Sequence, residues 1–274
     1  MKKLLAFSFL VAALPAALLA QTTTDTNTKA QKKAAAQAHT DKLIKQEEEG
    51  ALIYQKQFAL GIKLNTDGYG LVYEKAKLKT AEKASLWNLE LGERRDSKEY
   101  KLQAYDPSGF STGNGVVYGK IANFYYLKAG VGQSILLGGK GTKNGVAVSA
   151  VYSGGVTLGL LKPYYLNVRT PSGVDSTVKY MGGSAPTDRD FLNSDSVFSS
   201  AGFFKGIGEV KIKPGLQAKA ALRFDYGRYN ETVSAIEVGL GAEYYFSKIP
   251  FLLIVPEHHL FVNAFVALEF GKRK

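Results

Sequence analysis

Between Tyr54 and Leu64 the chain changes character at every residue. Tyr54, Phe58, Leu60, Ile62 and Leu64, with Lys56 the exception, alternate with Gln55, Gln57, Ala59, Gly61 and Lys63. Side chains leave a strand on alternate sides, so a period of two predicts a strand with one apolar face and one polar or small face. The same pattern closes the chain. Leu260, Val262, Ala264, Val266, Leu268 and Phe270 alternate with Phe261, Asn263, Phe265, Ala267 and Glu269.

Asn65-Thr66-Asp67-Gly68 reads as a tight hairpin between Tyr54–Leu64 and Tyr69–Lys79. Further strand-like runs cover 84–94, 116–138, 146–168, 202–213, 216–229, 233–246 and 260–270, with Pro214-Gly215 and Asn230-Glu231 as turns. The runs 116–138 and 146–168 are overlong; each holds one strand or two. Polar stretches at 96–115 and 170–200 read as long loops. The prediction is an all-β, antiparallel, up-and-down transmembrane β-barrel over residues 52–274. Ten strands is the working number and eight or twelve the alternatives, because single-chain barrels of this kind carry an even count.

The start of the chain has a different grammar. Lys2 and Lys3 precede the apolar run Leu4–Leu14, and Pro15, Ala16, Ala17 and Ala20 lead into polar Gln21. This predicts a signal peptide over 1–20, cleaved after Ala20, and therefore an exported protein. Residues 21–51 lack large apolar patterning and end in the acidic run Glu47-Glu48-Glu49, which predicts a flexible or partly helical leader. Without a single cysteine the exported chain has no disulfides, so a core or a closed hydrogen-bonded sheet must stabilise it. The formal net charge of +11 drops by two once Lys2 and Lys3 leave with the signal. No nucleic-acid motif accompanies that charge, and no nucleic-acid partner is expected. Sixteen Tyr and fifteen Phe against one Trp suit the aromatic girdles of a membrane barrel.

A soluble lipocalin-like barrel also alternates, but it turns its apolar face inward. The non-apolar face here mixes charges with Gly and Ala, as in Gln217, Lys219, Ala221, Arg223 and Asp225, or Glu237, Gly239, Gly241 and Glu243. Small residues among charges suit a tight interior where facing side chains compete for room. The lumen-facing polar candidates are Lys63, Asn88, Glu90, Lys219, Arg223, Asp225, Glu237, Glu243, Asn263 and Glu269.

Two segments, Phe58–Lys77 (FALGIKLNTDGYGLVYEKAK) and Leu136–Val168 (LLGGKGTKNGVAVSAVYSGGVTLGLLKPYYLNV), resemble outer-membrane β-barrel proteins of Bacteroidota described as porin-family or uncharacterised. The resemblance implies an outer-membrane barrel. It brings no reaction and no catalytic set.

The inventory for chemistry is thin. His39 lies in the leader, and His258 and His259 are adjacent, so in a strand they face opposite ways and cannot jointly hold a metal. No nucleophile-elbow pattern supports a serine device. Asp188, Asp190 and Asp195 lack EF-hand spacing and read as a solvated loop. Gly138-Gly139-Lys140-Gly141-Thr142 lacks the phosphate-loop spacing and reads as a strand connection. No catalytic, metal or cofactor-binding residue is expected. The expected function is a non-enzymatic outer-membrane barrel, narrow or plugged, with a structural, assembly or small-solute passage role. The alternatives are a barrel enzyme acting on lipid or peptide and a soluble periplasmic ligand-binding barrel. Expected partners are outer-membrane lipid, including lipopolysaccharide, and the barrel-assembly machinery.

Overall fold

A computed structural model describes residues 55–274 apart from 104, 106–108, 111–114, 141–144, 170–172 and 228–230; before residue 55 it describes only Lys33, Ala34 and Gln37, which are helical. The expected signal peptide, its cleavage point, His39 and the acidic run 47–49 lie outside the described residues. The chain divides into Met1–Lys45 and Gln46–Lys274, and the second unit carries the fold.

Its strands, in chain order, are β1 (Lys56–Asn65), β2 (Gly68–Leu78), β3 (Lys83–Arg94), β4 (Lys101–Leu102), β5 (Val116–Val117), β6 (Ala122–Gly138) and β7 (Ala147–Pro163). They continue with β8 (Tyr165–Arg169), β9 (Asp175–Lys179), β10 (Val197–Ser200), β11 (Lys211–Asp225), β12 (Thr232–Ile249) and β13 (His258–Arg273). A short helix, α1 (Pro186–Leu192), lies between β9 and β10. Eight strands form a closed antiparallel barrel in the order β1-β13-β12-β11-β7-β6-β3-β2. The seam joins the two ends of the sheet, from Gln57 opposite Arg273 to Asn65 opposite Phe265.

The barrel thus has eight strands, the lower of the sequence alternatives to ten. The two overlong runs each contribute one barrel strand, β6 and β7, of 17 residues. Gly154-Gly155 stays inside β7, and the break comes after Pro163, beyond which β8 leaves the barrel. Two readings are corrected. Residues 202–210 are turn and a 3-10 turn at Ile207–Glu209 rather than strand. Pro214-Gly215 is not a turn but lies inside β11. There β11 already pairs with β7 (Pro214 opposite Leu158), whereas its ladder with β12 starts only at Gly215 opposite Tyr245. A proline is tolerated where one flank of the strand carries no ladder.

The connections are unequal. At the end that holds residue 56 and Lys274, β2–β3, β6–β7 and β11–β12 are joined by short links. At the opposite end the chain makes a long excursion between β3 and β6 and a longer one between β7 and β11. Both long polar stretches therefore lie at one end, away from the terminus of β13. In the longer one, β8, β9 and β10 form a three-stranded sheet that packs with α1 around Leu166, Val168, Val178 and Phe191.

Alternation decides what each face meets. Along β1 every second residue is buried, and along β13 Asn263, Phe265, Ala267 and Glu269 are buried while Val262, Val266, Leu268 and Phe270 are exposed. On these two strands the apolar residues face out, Phe265 being turned in, and the polar and small ones face in.

Candidate functional site: the charged interior and its cap

The barrel interior is where this chain concentrates its chemistry. All ten lumen-facing candidates, Lys63, Asn88, Glu90, Lys219, Arg223, Asp225, Glu237, Glu243, Asn263 and Glu269, are buried. They come from β1, β3, β11, β12 and β13, so no single segment builds the site.

The centre is a guanidinium in a carboxylate cage. Arg223 donates in bidentate fashion to Glu74, at 2.6 and 2.7 Å, and donates to Glu237 from Nη2 at 2.6 Å and Nε at 3.1 Å. Glu269 closes the third side at 3.1 Å. Carboxylate oxygens of Glu74, Glu237 and Glu269 lie within 4.8 Å of one another, a spacing that would suit a cation. The cation at that place is Arg223 itself. A planar fork of donors fits such a cage better than an ammonium does.

From the cage the ion pairs run on as a connected chain. Glu237 meets Lys219 at 2.9 Å, and Glu90 lies 3.8 Å from Lys219, 2.9 Å from Lys63 and 3.7 Å from Lys128. Lys128 pairs with Glu243 at 2.6 Å, Glu243 with Arg94 at 2.6 Å, and Arg94 with Asp67 at 2.6 Å. Positive and negative groups therefore alternate from β2 to the β1–β2 turn. A second cluster stands nearer the terminus end: Asp225 accepts from Lys140 at 3.2 Å and from Arg273, and Arg273 also donates to Gln57 at 2.9 Å. Burying this many charges is tolerable only because each has a partner of opposite sign.

At the loop end the interior turns aromatic. Phe124, Tyr126, Tyr245, Ile249, Phe251 and Leu252 form one buried cluster, with Phe261 against it. Phe124 packs edge-on to Tyr245 and Phe251 at centroid distances of 5.5 and 5.4 Å. Phe251 and Leu252 come from the β12–β13 connection, which is stitched to the β5–β6 link by Ile121 N–H donating to Phe251 O and Leu253 N–H to Gly119 O, both at 2.9 Å. Arg94 lies 4.8 Å from the Phe261 ring, where the ion chain meets this cap. Room for the rings comes from glycine: Tyr126 Oη sits over Gly70 and Gly92, at places where any β-carbon would collide with it.

Several of these residues escape the alternation argument. On β2 the inward set is Gly70, Val72, Glu74 and Ala76, while Lys75 and Lys77 point out, so the polar-in rule is reversed at both Val72 and the lysines. Glu74, Arg94, Lys128, Lys140 and Arg273 were missed for reasons of this kind. Strict parity counted from Gly70, regardless of polarity, would have found Glu74.

The two described histidines, His258 and His259, do not meet in the interior. His258 is exposed, and His259 shares a 2.9 Å hydrogen bond with Tyr245 O and stacks on Tyr244 at 5.8 Å. The reading of Asp188 as part of a solvated loop is corrected. Its carboxylate is buried and accepts from the N–H groups of Met181, Gly183 and Ala185 at 2.7, 2.7 and 3.2 Å. Burial opposes its charge, but these three donors hold its carboxyl below the ordinary value of 3.8. Gly139–Gly145 is the β6–β7 connection, of which 141–144 lie outside the described residues.

No protein-family model matches the sequence, and no curated protein matches it. The solved structures to which the chain is similar include Gram-negative outer-membrane β-barrel proteins. The attachment invasion locus protein Ail of Yersinia pestis, crystallised with the heparin analogue sucrose octasulfate, aligns at 10% identity over 80% of this chain and 95% of its own, with a TM-score of 0.34. The N-terminal β-barrel domain of Pseudomonas aeruginosa OprF aligns at 12% identity over 80% and 99%, with a TM-score of 0.33. Neisserial surface protein A aligns at 8% identity over 80% and 93%, with a TM-score of 0.32. At these identities the likeness concerns fold alone.

Proposed function

We propose that this chain is a non-enzymatic outer-membrane barrel with a filled, non-conducting lumen, which holds a crown built on β8, β9, β10 and α1 at the cell exterior in a structural or adhesive role. One observation carries the reading: the polarity of the barrel is that of a protein solvated by hydrocarbon. Leu60, Ile62, Leu64, Leu71, Leu91, Val131, Leu240 and Val262 all stand more than half exposed on the outer wall. In water each would forgo roughly 1.5–3 kcal/mol of burial, whereas lipid supplies the missing apolar contact. The shortest barrel strand has 10 residues, enough for the roughly 9–11 that a tilted strand needs to cross a bilayer. The soluble lipocalin-like alternative needs apolar side chains turned inward around a cavity; this interior holds the ion chain instead.

Short turns on one side and long loops on the other match the periplasmic and extracellular ends of such barrels, which supports a crown that faces outside. An eight-stranded interior is just wide enough for side chains to fill. Here they do, from the Asp225 cluster through the Arg223 cage to the aromatic cap. Passage of solutes is therefore the lesser role, and function passes to the crown and its surface.

The test is membrane fractionation with a heat-modifiability gel, followed by planar-bilayer recording of the refolded barrel. Outer-membrane recovery, a heat-shifted band and no open-channel steps are expected. A soluble, unshifted species overturns the membrane reading, and regular conductance steps overturn the plug.

A further inference from the structure

On β2 the outward face reads Tyr69, Leu71, Tyr73 and then Lys75 and Lys77. The change from apolar to cationic falls at the terminus end of the wall. Lys75 stands between Phe58 of β1 and Trp87 of β3, and Lys77 between Lys56 and Ser85. Lys272, exposed on β13, flanks Phe58 from the other side. The wall is dented here, because Ser85 and Gly154 project little beside larger neighbours. The result is a groove of about 750 Å³ lined by Lys56, Lys75 and Lys77 along with Trp87, Val131 and Tyr152; among the described residues no carboxylate lines it.

We propose that this groove binds one anionic glycerophospholipid, with the phosphate between the lysines and an acyl chain along Trp87 and Val131. The proposal rests on the membrane reading above, which sets this end in the periplasmic leaflet. Charge complementarity argues for the occupant. Three lysines without a carboxylate form an anion site, and lysines on a lipid-facing wall extend their ammonium groups to the headgroup level. The groove is continuous with the apolar wall, so what fills it needs an acyl chain as well as a charge. A second groove of about 910 Å³ at the loop end carries less: Glu93 lies among its lining residues, and Lys162 there already donates to Phe203 O at 2.5 Å.

Trp87, the single tryptophan of the chain, reports on the groove directly. The full barrel is refolded into vesicles, and its fluorescence is titrated with phosphatidylglycerol or phosphatidylcholine bearing the same dibrominated acyl chain. Phosphatidylglycerol is expected to reach half-maximal quenching at about a tenfold lower mole fraction, the order set by a lysine cluster facing one phosphate. Lys75→Gln/Lys77→Gln should abolish the preference, while Lys75→Arg/Lys77→Arg and a loop-end control, Lys211→Gln/Lys213→Gln, should keep it. Equal quenching by the two lipids in the wild-type barrel overturns the proposal. A preference that appears only after Glu47, Glu48 and Glu49 are changed to Gln also overturns it, assigning the groove to the chain's own acidic run. Absence of quenching by either lipid, with no heat-shifted band, would instead sink the membrane reading.

Discussion

Replacing Arg223 by Met removes the one group that touches all three carboxylates of the cage. The guanidinium makes four hydrogen bonds to Glu74 and Glu237, between 2.6 and 3.1 Å, and an ion pair to Glu269 at 3.1 Å. In Arg223→Met the remaining cation in close contact among the described residues is Lys219, 2.9 Å from Glu237. Carboxylate oxygens would then face each other within 4.8 Å, a repulsion of about 3 kcal/mol per ionised pair at an effective dielectric of about 20. Protonation of one carboxyl relieves part of this, so the expected loss is about 3–5 kcal/mol, the usual result of breaking a buried ion pair from one side. The assay is urea unfolding of the barrel in vesicles at neutral pH, read by the heat-shifted band and by Trp87 fluorescence. Adding Glu269→Gln to Arg223→Met should recover about half of the loss, since it removes repulsion without restoring any contact. A loss below about 1 kcal/mol for Arg223→Met, or no recovery in the double variant, would refute a dry, tightly paired cage and point to a lumen in which water screens the charges.

Leu240, 61% exposed on the outer wall of β12, tests the solvent of that wall: Leu240→Arg should cost about 2–4 kcal/mol in the vesicle unfolding assay if the wall faces hydrocarbon, and almost nothing if it faces water. Gly92→Ala should lower stability by about 1–3 kcal/mol in the same assay, because its β-carbon meets the Tyr126 hydroxyl and neither strand can yield. Asp188 has a depressed folded value, so its stabilising effect is complete above the ordinary 3.8 and is lost as pH falls through the lower folded value. Limited proteolysis should therefore cut around 181–188 faster in strong acid than at neutral pH. Asp188→Asn should show the faster cutting already at neutral pH, with the heat-shifted band of the barrel unchanged.

The alternation of outward Leu60, Ile62 and Leu64 with inward Lys63 or Ala59 is a local property, and so the barrel class and the lumen face of β1, β11, β12 and β13 were legible in the sequence. The strand count was not. Pro214-Gly215 has the composition of a turn, and only its neighbours reveal that β11 lacks a partner on one flank there. The aromatic cap was hidden for a related reason. Phe124 and Tyr126 are apolar residues pointing inward on β6, next to an outward Leu127, so polarity alone assigns no side to them. Asp188 looked like a loop carboxylate because its ligands are backbone N–H groups, which leave no mark on side-chain composition.

The seam between β1 and β13 also has a kinetic meaning. Its first rung joins Gln57 to Arg273, near the two extremes of the described barrel chain, and Lys56 N–H and Lys274 N–H each donate to the other residue's carbonyl. Until that rung forms, both edge strands carry unpaired backbone groups that hydrocarbon cannot satisfy. No half-zipped sheet can rest in the bilayer core. If the outer wall faces hydrocarbon, closure and insertion become one event that waits on pairing between strands far apart in sequence, and losing the last strand would block insertion rather than merely weaken the barrel.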